Sequence, residues 1–125
     1  MAKYTGSVCK LCRREGEKLY LKGSRCLTPK CSFEKRGYPP GQHGKSKKGK
    51  PSDYGTQLEA KQKMKFYYGN MNERQFRNVY RKALQKKGNT TENLVGFLER
   101  RLDTVIYRAK FATTVFSARQ LINHG

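Results

Sequence analysis

Four cysteines, Cys9, Cys12, Cys26 and Cys31, carry the one residue pattern in this chain that suits a defined piece of chemistry. They read C-x2-C, then thirteen residues, then C-x4-C. A pair two residues apart turns both sulfurs toward one point, and a second pair returning after a short loop can complete a tetrahedron. The spacing predicts one structural zinc (Zn) ion. Four thiolates leave no coordination place for a catalytic water, so the metal would fold the loop and not react. Lys10, Arg13, Arg14, Arg25 and Lys30 flank the sulfurs, and positive neighbours favour the metal-binding thiolate. Leu11, Leu19, Tyr20, Leu21 and Leu27 make a weak local core that calls for such a staple. Disulfides fit less well, because the leading MAKYTGSV has no apolar run of the signal-peptide kind. The common ferredoxin spacings differ from this one, and the loop is too short for a DNA-reading helix with supporting strands.

The elements that must position this cluster belong to a strongly basic chain. Twenty-eight Lys and Arg face 9 Asp and Glu over 125 residues, giving a formal net charge of +19 and a pI near 10.1. Such a balance points to a polyanionic partner. A hydrophobic content of 35% and a mean hydropathy of -0.93 leave little to bury, so the fold is expected to be incomplete alone. No stretch approaches the roughly 20 apolar residues of a spanning helix, which favours nucleic acid over membrane. The first fifty residues hold half of the basic side chains and only three acids. Within them Arg36 to Lys50, RGYPPGQHGKSKKGK, has nothing apolar after Tyr38 and no acid. We expect an extended basic arm ordered by phosphates, in preference to a solvated linker. Its contacts with RNA would be Arg36, Tyr38, Gln42, His43, Lys45, Lys47, Lys48 and Lys50, joined by Lys10, Arg13, Arg14, Lys22, Lys30 and Lys35 of the knuckle; His43 is also expected to be a hydrogen-bonding turn residue.

Three helices and a short fourth follow from Ser52 onward. Ser52 or Asp53 caps the first, with Tyr54, Leu58, Met64 and Tyr68 at approximate helical spacing and Lys61, Lys63 and Lys65 on the other face, Lys61 and Lys65 as expected RNA contacts. Asn72, with Gln75 three residues on, is a capping box for a second helix ending by Gly88. There Phe76, Val79, Tyr80, Ala83 and Leu84 are apolar, while Arg74, Arg77 and Arg81 are placed to face phosphate. Thr90 or Thr91 begins a third, whose stripe of Leu94, Leu98, Leu102, Val105 and Ile106 predicts core. After a break at 110–114, Thr114 opens the last, with Ala118, Leu121 and Ile122 inward. No strand-like segment appears, which favours recognition of shape and phosphate over base stacking. Arg101, Arg108 and Arg119, fixed on helices, are the expected selective contacts, with Thr114 beside them.

The stretches YPPGQHG (38–44), PSDYG (51–55), ERQFRNVY (73–80), LERRLDTVIYRAKFATT and SARQLINHG, together with the cysteine knuckle, resemble the N-terminal part of the S-four family of small-subunit ribosomal proteins. The resemblance runs end to end. It implies that the last stretch is the helix pair of a two-helix RNA-binding module whose β-hairpin and remainder are absent from these residues. It further implies a primary binder of small-subunit rRNA at a multi-helix junction, acting early in assembly, with a family role in decoding accuracy. Neighbouring small-subunit proteins would be partners, in a cytoplasmic or organellar ribosome. The expected fold is thus mainly α: knuckle and arm over 1–50, a helical rRNA-binding region over 51–90, and the helix pair over 91–125. No phosphate loop, H-E-x-x-H motif or paired base and nucleophile suggests catalysis, membrane association or a small-molecule substrate. Other functions to weigh are a regulator binding structured mRNA and the targeting part of an RNA-modifying enzyme.

Overall fold

Glycines and caps divide the chain much as its pattern suggests. Gly16, in the left-handed region at φ 72°, ends α1 (Cys9–Glu15); a 3-10 turn (Gly23–Leu27) and α2 (Ser32–Lys35) complete the cysteine region. Then come α3 (Asp53–Tyr67), α4 (Glu73–Gln85), α5 (Thr90–Glu99), α6 (Leu102–Arg108) and α7 (Val115–His124). This is a computed structural model describing residues 4–46 and 49–125, so the expected contacts Lys47 and Lys48 lie outside the described residues. Among the described residues there is no strand, and no helix is long and apolar enough to cross a membrane.

The described residues form two compact units, Thr5–Tyr67 and Tyr4 with Tyr68–Gly125. The compositional division runs across them, since residues 51–90 supply α3 to one and α4 to the other. In the first unit α1 packs against α2 and α3. Leu11, Leu19 and Leu21 are buried with Cys12, Cys26 and Cys31, whereas Tyr20 and Leu27 stay exposed. In α3, Ser52 caps by accepting from Gly55 N at 3.2 Å. Tyr54 and Leu58 are exposed and Lys65 is buried, so the expected stripe does not bury its first two turns.

In the second unit α4 packs on α5, α5 on α6, and α6 on α7. Asn72 Oδ1 accepts from Gln75 N at 2.8 Å, as its capping position predicts. The reciprocal half of the box is not made, because Gln75 Oε1 is buried without a partner. α5 begins at Thr90, as expected, and Asn89 caps it, accepting from Thr91 N at 2.9 Å. The long third helix is divided at 100–101, where Arg101 is extended at ψ 142°. That break rotates the stripe: Leu94 and Leu98 are buried, but Leu102 and Val105 are exposed. Leu121 is exposed as well, so the inward residues of α7 are Val115, Ala118 and Arg119. The core is therefore built differently from the expectation.

Arg119 takes the place expected of an aliphatic residue. Its Nη1 donates to the Gly69 carbonyl, and its Nε lies 3.5 Å from Asp103 Oδ2, with both side chains at most 4% exposed. Asp103 also accepts from Arg101 Nε and Nη2 at 3.2 and 3.0 Å and from Thr104 N at 3.0 Å. A buried carboxylate so surrounded is satisfied, which is the condition for burying it at all. Burial lowers the pKa of the Arg119 guanidinium, the Asp103 charge opposing that. Gly69, at φ 76°, is required here, since a Cβ would lie 2.8 Å from Arg119 Cδ and 3.1 Å from Val115 Cγ1.

Candidate nucleic-acid interface and cysteine cluster

The cysteines are brought together from three elements: Cys9 and Cys12 from α1, Cys26 from the 3-10 turn, and Cys31 from the N-cap of α2. All four are free thiols, so no disulfide forms. They line one cavity of about 10 Å³, closed by Val8, Leu21, Lys22 and Phe33. That is roughly the space one small ion or water needs. Burial pushes the Cys12 thiol upward, Leu19 opposes this through a backbone hydrogen bond, and the other three cysteines add to the rise. That rise favours the protonated thiol, so what suits a cation here is the donor type, four sulfurs lining one cavity. Even so, among the described residues no three His, Cys, Asp or Glu are drawn into a metal-holding group. The fit lies in donor type and shared cavity.

Beside it opens a second cavity, of about 380 Å³, lined by Ser7, Cys9, Lys10, Arg13, Arg25, Lys30, Ser32, Lys35 and Arg36. Six of these carry positive charge and none is acidic. Each lies within five positions of a cysteine, so the fold around the sulfurs is what aims these cations at one space. Lys10, Arg25, Lys30, Lys35 and Arg36 have no carboxylate partner among the described residues, while the nearby Glu34 is taken by Lys18. Arg13 is oriented: its Nε donates to the Tyr38 carbonyl at 3.0 Å and its guanidinium lies over the Tyr38 ring at 5.1 Å. Ser7, Arg25 and Ser32 were not among the expected RNA contacts. For Arg25 the signal was its place next to Cys26; the serines gave none.

Tyr38 also holds Lys45, whose Nζ lies 5.4 Å from the ring. The described part of the basic segment is not an extended arm. It turns on itself, Gly44 N donating to Gly41 O at 3.3 Å and Ser46 N to His43 O at 3.0 Å. Gly44 is required in that turn, for a Cβ would lie 1.9 Å from the Pro39 carbonyl oxygen. Gln42, His43, Lys45 and Lys50 are exposed, as are Arg14 and Lys22.

Elsewhere the expected contacts separate into outward and inward sets. Arg74, Arg77 and Arg81 are exposed on α4 at i, i+3, i+7, one above another on one face. Lys61 is half-buried. Lys65 is buried, its Nζ donating to Gln62 Oε1 at 3.3 Å. Thr114 Oγ1 accepts from Ser117 N at 3.1 Å as the cap of α7. Arg101 and Arg119 are spent on Asp103. Lys65, Thr114, Arg101 and Arg119 thus each have a partner within the fold, whereas the arginines of α4 point outward. Arg108 is half exposed but clamped, donating to both Glu99 carboxylate oxygens at 3.1 and 2.9 Å. Its hydrogen bonds hold the Glu99 pKa below the usual carboxylate range, helped by Tyr68 Oη, which donates at 2.8 Å.

Helices, clustered cysteines and a basic cleft with no acid in its lining define a small, strongly basic helical protein. The chain belongs to the ribosomal S4 family: residues 3–99 match the ribosomal protein S4/S9 N-terminal domain and residues 100–125 the S4 domain. It is similar to small ribosomal subunit protein uS4 of Pelagibacter ubique, 73% identical over 97 residues, covering 78% of this chain and 47% of that protein. The uS4 of Thermodesulfovibrio yellowstonii is 62% identical and that of Thermus thermophilus 55%, each over the whole chain and 59% of the relative. The chain thus spans roughly half to three-fifths of the length of these relatives.

Proposed function

We propose that this protein is a non-catalytic, rRNA-binding constituent of the small ribosomal subunit. Its contacts would organise a multi-helix rRNA junction early in assembly. The observation that carries the reading is the acid-free ring of Lys10, Arg13, Arg25, Lys30, Lys35 and Arg36 around one cleft. Charge of one sign in a concave surface focuses the field and draws in a phosphate backbone. The exposed arginines of α4 and the basic turn after Tyr38 extend the same chemistry. Neighbouring small-subunit proteins would be its partners, with a share in decoding accuracy, a reading that likeness to the uS4 proteins supports. The four cysteines would hold one zinc ion, whose part is to tie α1, the 3-10 turn and α2 together and so keep the cleft lined. Crosslinking the protein to RNA in purified small subunits tests the reading. Crosslinks from Lys10, Lys30 or Lys35 to small-subunit rRNA are expected; a protein absent from salt-washed subunits would overturn it.

A further inference from the structure

We infer that the 380 Å³ cleft beside the cysteines is a discrete oligophosphate site, taking two or more linked phosphates in preference to a single one. At about 30 Å³ per liquid water, it has room for about a dozen waters, more than one phosphate group fills. Its six cations come from three separate stretches, on α1, the 3-10 turn and the run from Lys30 to Arg36. One phosphodiester brings a single negative charge and cannot neutralise cations on several walls. Linked phosphates bring adjacent charges in a chain that can touch more than one wall. Arg13 is pre-oriented by Tyr38, and a fixed guanidinium fork binds phosphate oxygens in pairs. Arg25, Lys30 and Lys35 have no carboxylate partner among the described residues, and the hydroxyl of Ser32 adds a donor to phosphate oxygen. With no acid in the lining, the cations repel one another until a ligand enters.

The shared chemistry, successive phosphates at close spacing, occurs in a sharply bent RNA backbone and in free oligophosphates. The identity of the donor as rRNA rests on the function proposed above; the preference for linked phosphates does not. Inorganic pyrophosphate and orthophosphate are titrated calorimetrically into the reduced protein at constant ionic strength. Pyrophosphate is expected to bind at least tenfold more tightly. The double variant Arg25→Gln/Lys30→Gln should lose that preference. Lys87→Ala/Lys110→Ala, which removes the same charge from exposed positions elsewhere, should keep it. In the unaltered protein, pyrophosphate should also protect Lys10 and Lys30 from acetylation, a readout that needs no variant to fold. Competition then separates the sources. Displacement of pyrophosphate by small-subunit rRNA assigns the site to the RNA backbone, and pyrophosphate binding without displacement assigns it to a free oligophosphate. Equal affinity for the two anions, or equal loss in both double variants, overturns the site even where rRNA still binds. Loss of rRNA binding with the pyrophosphate site intact would overturn only the proposed function.

Discussion

Arg119 and Gly69 make the tightest dependence between two residues in this protein. The Arg119 Cδ occupies the space a Cβ would need, and the guanidinium's hydrogen bond ends on the glycine's own carbonyl. Gly69→Ala adds strain at a positive φ to a collision that flexible side-chain atoms relieve only in part. We expect a loss of roughly 1–3 kcal/mol, read as a lower urea midpoint; an unchanged midpoint would show that Arg119 moves aside freely. Glu99 gives a pH-dependent counterpart. Its folded pKa is lowered by Arg108, so the stability it contributes is present above the unfolded value, about 4.3, and is lost as pH falls through the folded value. Wild type should exceed Glu99→Gln in stability at pH 7, and the gap should close on acidification below pH 4. A gap independent of pH would show that the Arg108 pair contributes nothing.

Helix α4 is capped at its start by the Asn72 side chain. Asn72 accepts from Gln75 N, but the buried Gln75 Oε1 returns nothing, so the cap acts without the second half of its box. Asn72→Ala should therefore cost about 1 kcal/mol, with faster hydrogen exchange confined to the first turn of α4; uniform change across the unit would mean that Asn72 acts through packing instead. The break between α5 and α6 has a comparable local cause. Extended backbone at Arg101 lets its side chain reach Asp103 two residues on, which an unbroken helix would not allow.

For the whole molecule, two compact units predict two responses to metal. Protein purified under reducing conditions should carry about one zinc equivalent. Chelation should raise hydrogen exchange through Thr5–Tyr67 and leave α4 to α7 protected, because these helices have caps and buried residues of their own. Less than about a tenth of an equivalent, with the first unit still protected, would remove the metal from the account. Binding to rRNA should show log affinity falling linearly with log salt. A protein neutralising on the order of eight phosphates would give a slope of roughly -6 to -7. Neutralising Lys10, Lys30, Lys35 and Arg36 together should flatten it, whereas affinity indifferent to salt would transfer recognition to the bases.

What the sequence determined by itself was local or summed: the four-cysteine spacing, the net charge, the caps at Ser52, Asn72 and Thr114, and the helical character from residue 53 onward. Each of these depends on a few adjacent residues or on totals, and such signals survive without a fold. The tertiary structure alone decided which cations point outward. Arg101 and Arg119 read like Arg77 and Arg81 in the sequence, because nothing in a one-dimensional pattern shows that Asp103 is buried and must be satisfied. Nor could spacing show that Leu102 is left exposed, since a break of two residues at 100–101 rotates α6 relative to α5, or that α7 turns Arg119 inward in place of Leu121. The basic cleft was legible only in pieces. Lys10 and Lys30 were visible as neighbours of cysteines, but their meeting with Arg25 and Ser7 around one space depends on three segments folding back on the same sulfurs.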